Sequence, residues 1–486
     1  MRGLRRRSAG RAHRRSAWTR GDSLALTAIT LVAAGARAFR LTQPARGVFD
    51  EVYYVRDGCF YLRLSACRPG EELSPSHPPL GKWLIGVSIR IFGYRPGGWR
   101  VAPLVAGILT VALLYILARK LLGSTTGASI AAGLLAIDFL HLVQSRTAML
   151  DVFVPLFVVA AFLCSVYDRE RWLRADPASS GHRQRRLFDR RWRFLAGLAM
   201  GAAVSSKWSG LPILPALIAL ILSWEVAHRR ARGSVAPVRE ALREEVPSVL
   251  LALLVIPAAV YLTSYVGVVH GSVLAFPWSE GSWARAVVDR QVSMVRFQAG
   301  LGDAIHPYAS PAWSWPLVKR PTAFYFAVSG GRYQEVLALG NPLVWGAGLL
   351  SLLLVGIQRL RGRTDAGSQG IILMGALASW APWLALSPAR RYMFLFYFLP
   401  TVPFLCLALA WVSVELWRGR VGRGLVAGFA AASVASFAFF YPILTGVPIS
   451  PGAWKARILF TDCRIEQTVL AEGVPSGAPP QGWCWM

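Results

Sequence analysis

Asp50 and Glu51 stand side by side in Gly47-Val48-Phe49-Asp50-Glu51-Val52-Tyr53-Tyr54, directly after the first apolar stretch of the chain. Charge at such a place is costly in lipid and useful at a membrane-edge active site. A single carboxylate can accept the proton of a hydroxyl as its oxygen attacks a carbon centre. Two carboxylates flanking a sugar are the pattern of glycoside hydrolysis. An adjacent pair titrates jointly, and leaves a divalent cation possible without requiring one. Arg146, Lys207, Arg390 and Arg391 stand at the edges of later apolar stretches. Arg offers planar bidentate donors and Lys a compact point charge, and both suit a departing phosphate. His77 precedes Pro78-Pro79 and Lys82 follows closely, while His306 precedes Pro307. These three, together with Asp151, are candidates for supporting a donor or an acceptor. Asp151 lies a little more than one helical turn after Arg146 and reads as its partner, and Asp138 within an apolar stretch invites a similar pairing. No spacing in the chain resembles a zinc site.

The elements that must position these side chains are membrane spans. Of 486 residues, 54% are hydrophobic and 16% charged, against roughly 25% charged in soluble domains. The mean hydropathy is +0.43. This composition indicates an all-α polytopic membrane protein. A net charge of +28 on a soluble chain would suggest nucleic acid. Here the arginines cluster between apolar stretches, as in cytoplasmic loops, so no nucleic-acid partner is expected. Residues 1–22 form a basic tail that places the N-terminus in the cytoplasm.

Eleven spans follow, at about 23–39, 99–121, 126–142, 149–167, 194–206, 210–228, 246–269, 341–357, 370–386, 392–416 and 423–440. Counting them against the arginine-rich loops puts residues 40–98, Arg146, the 270–338 loop and the C-terminal tail on the extracytoplasmic side. The expected organisation is an N-terminal transmembrane domain over 23–269, with its first outer loop at 40–98, and a four-span domain over 270–486. Leu80–Phe92 is too short to span and repeats its apolar residues at helical spacing, so it reads as a surface helix. A second is expected at 283–298. Cys59, Cys67, Cys463 and Cys484 fall in outer loops where disulfides persist. Pairing Cys59 with Cys67 and Cys463 with Cys484 is the most local of three possibilities. The chain shows no internal repeat and its informative charges gather at one face, which argues against a transporter.

Several motifs taken in order carry a resemblance. They are Phe49-Asp50-Glu51-Val52-Tyr53-Tyr54, His77-Pro78-Pro79-Leu80-Gly81-Lys82, Gln144-Ser145-Arg146 with Asp151, and Ser205-Ser206-Lys207-Trp208-Ser209-Gly210-Leu211. His306-Pro307-Tyr308, Ser314-Trp315-Pro316-Leu317, Gly340-Asn341-Pro342, Arg390-Arg391-Tyr392-Met393-Phe394 and Trp454-Lys455-Ala456-Arg457 continue the set. Together they resemble the protein O-mannosyltransferase family, in its compact bacterial, actinobacterial-type form. The 270–338 loop is too short for the soluble β-trefoil (MIR) domain of eukaryotic members. The resemblance implies a GT-C glycosyltransferase fold with an outer catalytic loop. It implies polyprenyl-phosphate mannose as donor, Ser or Thr of secreted proteins as acceptor, and the Sec translocon as a neighbour, with no cofactor required. On that analogy Asp50 is the general base and Glu51 helps hold the acceptor, while Arg146, Lys207 and Arg391 face the donor phosphate. Transfer to a lipid or cell-wall glycan within the same fold is the alternative.

Overall fold

The computed structural model of the protein describes residues 17–67, 73–174, 190–266, 283–302, 304, 306, 308–362, 366–388 and 392–459. Arg390, Arg391, Cys463 and Cys484 lie outside the described residues. The architecture is predominantly helical. The first span, α1 (Arg20–Ala38), begins at a capping box in which the Thr19 hydroxyl accepts from the Asp22 N–H and the Asp22 carboxylate accepts from the Thr19 N–H. Asp22 is buried, and also accepts from Arg119 at 2.7 Å and Thr125 at 2.7 Å. These lie on or at the start of α4 (Pro96–Leu122) and α5 (Thr125–Ala136). Near the other end of α1 the buried Arg37 donates to the carbonyls of Leu135 and Ala136. Asp22 and Arg37 therefore take partners from neighbouring helices, which is how charge persists at such depth.

Two short helices precede α4. They are α2 (Glu51–Tyr61) and the expected surface helix α3 (Leu80–Phe92). They touch through facing glycines: a Cβ on Gly58 would lie 2.5 Å from the Lys82 carbonyl, and one on Gly86 would lie 2.3 Å from the Gly58 carbonyl. Cys59–Cys67 closes a disulfide at the end of α2. After α5 come α6 (Phe139–Gln144), α7 (Phe153–Arg174), α8 (Arg191–Ser206), α9 (Ile213–Ala231) and α10 (Pro237–Thr263). Asp138 does not take a basic partner by direct contact. It caps α6 through the His141 N–H at 2.9 Å and accepts from the Trp345 indole at 2.8 Å.

The second surface helix, α11, runs Trp283–Gly300. An antiparallel hairpin follows, β1 (Thr322–Ser329) and β2 (Arg332–Ala338), paired from Ser329↔Arg332 to Thr322↔Ala338. This hairpin is a small strand pairing within a predominantly helical fold. Its turn is Gly330-Gly331, with φ of +56° and +69°, the left-handed pair that a two-residue hairpin turn requires. Helices α12 (Pro342–Leu360), α13 (Ala366–Leu386), α14 (Val402–Leu416) and α15 (Arg420–Thr445) and the short α16 (Pro451–Lys455) follow among the described residues. Among the described residues, seven helices are individually long and apolar enough to cross a membrane. The other four expected spans coincide with α1, α5 with α6, α7 and α8. These are shorter or carry charges that neighbouring helices cover.

Candidate active site

Asp50 opens α2, and its position is fixed from both sides. The preceding Phe49 has φ +47°, a conformation that non-glycine residues hold only when surroundings enforce it. Its ring stacks on Phe324 of β1 at 4.9 Å and meets Phe394 and Phe396 edge-on at 6.0 and 5.8 Å. The hairpin and the 392–397 segment thus seat a loop that lies far away in sequence.

Glu51 holds the loop from below. It is fully buried, and its carboxylate receives the Arg100 guanidinium in bidentate fashion at 2.9 and 2.8 Å. It also accepts the backbone N–H of Val48 at 2.9 Å and of Ala148 at 2.8 Å. Arg100 continues to the carbonyls of Leu41, Pro44 and Arg46. The structure therefore separates the adjacent pair: Glu51 points into a saturated interior contact. The two carboxylates do not face one cation together, because both Glu51 oxygens are occupied.

Asp50 faces a cavity of about 560 Å³. Tyr53, Tyr54, Arg56, His77, His306 and Tyr392 contribute to its lining. The Tyr54 hydroxyl donates to Asp50 Oδ2 at 3.2 Å. Burial pushes the Asp50 carboxyl up to about 6, against the opposing pull of the Lys207 charge and the Tyr54 hydrogen bond. An acid in that range is largely ionised at neutral pH and still basic enough to take a proton.

His77 and His306 both line this cavity. The His77 ring lies 6.0 Å from that of Tyr54. His306 packs edge-on against Phe394 and Tyr392, and its Nδ1 accepts from the Tyr308 N–H at 3.2 Å. Burial lowers its pKa to about 4, so it is neutral at physiological pH. Lys82 does not reach the cavity. It is fully buried, 2.8 Å from Asp57, and donates to the Ser76 carbonyl at 2.8 Å. Asp57 in turn accepts the Ser74 N–H at 3.2 Å. The pair pins residues 74–76, the cavity wall that leads into His77.

Two expected phosphate partners take other places. Arg146 is buried and donates to the carbonyls of Arg37, Phe39 and Arg40, capping the C-terminal end of α1. Its expected partner Asp151 instead binds Lys207, whose Nζ lies 2.8 Å from each carboxylate oxygen. Lys207 lies 4.8 Å from the centre of the Tyr397 ring, and Tyr397 lines the cavity. Lys207 and Asp151 therefore stand behind that aromatic wall, close enough to act electrostatically on Asp50. Arg100, Tyr54, Arg56 and Asp57 are site residues beyond those expected from the sequence. Arg100 was signalled, being an arginine at the head of an apolar span, where a charge demands a partner.

Comparison with known proteins identifies the family and the fold. Residues 27–100 and 97–274 match the family described as dolichyl-phosphate-mannose-protein mannosyltransferase. Residues 284–462 match the C-terminal four-transmembrane region of protein O-mannosyltransferases. A polyprenol-phosphate-mannose–protein mannosyltransferase of Mycolicibacterium smegmatis is 32% identical, over 90% of this chain and 92% of that protein. Its counterpart in Mycobacterium tuberculosis is 31% identical over 88% and 90%. In fold, the chain is similar to a chain of the Saccharomyces cerevisiae Pmt1-Pmt2 complex bound to the sugar donor, with a TM-score of 0.73, 17% identity, and 92% and 93% of the two chains covered. ArnT from Cupriavidus metallidurans bound to undecaprenyl phosphate gives a TM-score of 0.53 at 17% identity over 87% of this chain and 71% of ArnT. The fold is thus that of GT-C membrane glycosyltransferases, and the chain belongs to the protein O-mannosyltransferase family.

Proposed function

We propose that this chain transfers mannose from polyprenyl-phosphate mannose to Ser or Thr hydroxyls of secreted proteins, with inversion at the sugar carbon. One observation carries the assignment of roles: among the described residues, Asp50 is the carboxylate that lines the cavity. The acceptor hydroxyl gives its proton to Asp50 while its oxygen forms the bond to mannose C1. The bond from C1 to the phosphate oxygen breaks, and polyprenyl phosphate leaves with its electron pair. A single base suffices for this step, which fits a site where Glu51 is already committed to Arg100. His77, His306 and Arg56 line the same cavity and serve donor or acceptor contacts. Lys207, held by Asp151, biases the site toward negative charge. Arg390 and Arg391 adjoin the cavity residue Tyr392 in sequence and remain our candidates for the phosphate. Arg146 supports the site by fixing the end of α1.

The test is transfer by the purified chain from polyprenyl-phosphate mannose to Ser/Thr peptides and, in parallel, to glycolipid acceptors. Asp50→Asn should retain membrane insertion and lose transfer by about a hundredfold or more, within the usual range for a general base. Near wild-type turnover would remove Asp50 from the chemistry, and glycosylation of the glycolipid alone would reassign the acceptor.

The proposed setting is the cell membrane, with the Asp50 cavity and the hairpin outside, near secreted chains emerging from the Sec translocon. Ser329 is exposed at the hairpin tip and Val235 is 99% exposed between α9 and α10. A cysteine at position 329 should react with an impermeant thiol reagent on intact cells, and one at 235 only after permeabilisation. The reverse pattern would invert the topology.

A further inference from the structure

A second cavity, about 430 Å³, opens between α1, α5, α14 and α15. Ile29, Ile130, Gly133, Trp417, Ala430 and Val434 are among its lining residues. It is distinct from the Asp50 cavity. The far end of α15 meets the end of α1 that leads to Asp50, through Tyr441 to the Ala36 carbonyl at 2.7 Å and Arg40 to the Gly446 carbonyl at 3.1 Å. On α15, whose 26 residues extend about 39 Å, the groove is lined by residues 426–434, in the N-terminal half and centre of the helix.

Two independent features indicate what fills it. Gly133 lies inside α5, where glycine costs roughly 0.5–1 kcal/mol relative to alanine. Yet a Cβ there would meet nothing within 4 Å. No close contact demands the missing side chain, and its effect is to leave the groove open. The second feature is charge. Arg420, Arg423, Ala427, Ala430 and Val434 recur on one face of α15 at spacings of three and four residues. The last three line the groove, and both arginines are exposed at the N-terminal end of that face. Trp417, a residue type that favours the membrane–water boundary, marks the same end.

We propose that this groove binds one acyl chain of an anionic phospholipid, whose headgroup is held by Arg420 and Arg423. The proposed mouth is the end marked by Trp417, Arg420 and Arg423, away from the α1–α15 contacts that lead to Asp50. With Asp50 outside, the mouth falls in the cytoplasmic leaflet, where anionic lipid draws basic residues.

The experiment places the full-length chain in nanodiscs of phosphatidylcholine alone or with phosphatidylglycerol. Native mass spectrometry then records the lipid retained on release. Wild type should retain phosphatidylglycerol in preference to phosphatidylcholine. Arg420→Gln and Arg423→Gln should each weaken retention roughly fivefold. Gly133→Leu should abolish retention by filling the groove, and Ala427→Phe should do the same from the facing wall if the glycine variant does not fold. Equal retention of both lipids by wild type would overturn the proposal, as would full retention by the groove-filling variants. A lipid-free dimer would assign the groove to a second copy and overturn it as well.

Discussion

The Asp50–Glu51 peptide bond divides two kinds of carboxylate environment. Below it, Glu51 is fully buried, its oxygens shared among Arg100 and two backbone N–H groups. Above it, Asp50 is half-buried on a cavity wall and accepts a hydrogen bond from Tyr54. The Asp57–Lys82 pair belongs to the first kind. So does the network at the far end of α7, where Arg190 and Arg193 bridge Asp168, Glu225 and Glu245. Saturated, enclosed charge fixes geometry, because removing one partner leaves the other stranded in low dielectric. An incompletely satisfied carboxylate beside open volume is free to exchange a proton. Residue type and sequence position are alike across the bond, so the distinction rests on the partners.

The comparison breaks most visibly at Glu51. Glu51→Gln leaves Arg100 buried without a counter-charge, a loss of about 3–5 kcal/mol of stability. The expected outcome is a large fall in thermal unfolding midpoint, with activity lost in step with folded protein. A variant as stable as wild type but inactive per folded molecule would give Glu51 a direct chemical role and erase the distinction. At Lys82 the expected effect is smaller, because residues 74–76 can relax once released. Lys82→Met leaves Asp57 with Arg56 at 3.5 Å and the Ser74 N–H, and adding Asp57→Asn should recover part of the loss, with a coupling on the order of 1 kcal/mol. The acceptor KM should rise in the single variant more than kcat falls, since His77 shifts while Asp50 stays. Additive effects of the two substitutions would separate Asp57 from Lys82 functionally.

Much of this organisation is legible in the sequence, and the exceptions have physical causes. Apolar length and arginine clustering place the helices, because membrane insertion depends on those quantities. The surface helix α3 is legible in its apolar periodicity. The hairpin was equally signalled: Thr322-Ala323-Phe324-Tyr325-Phe326-Ala327-Val328, then Gly330-Gly331, is rich in strand formers and carries a two-residue turn. Its aromatic content draws attention to the membrane interface instead. The roles of Arg146 and Asp151 were not legible, because one-turn spacing predicts a local pair. The tertiary alternatives, backbone carbonyls for Arg146 and Lys207 for Asp151, come from segments distant in sequence. The fates of Asp50 and Glu51 were hidden for the same reason, since Arg100 and the cavity wall lie outside their motif.

The finest test of the comparison uses pH. Asp50 titrates at about 6 in the folded chain against an ordinary 3.8. Activity needs the ionised form, so kcat/KM should climb about tenfold per pH unit below 6 and level off above 7. Stability runs the other way. Between about 4 and 6 the folded chain holds a proton that the unfolded chain has released, so the contribution of Asp50 to stability falls as pH rises through that window. Asp50→Asn cannot ionise and escapes this loss. Its unfolding midpoint should match wild type near pH 4 and exceed it at pH 7.5, while its transfer activity stays low throughout. A wild-type advantage at pH 7.5 would mean that ionised Asp50 is paired and stabilising, as Glu51 is. The two sides of the peptide bond would then differ only in degree.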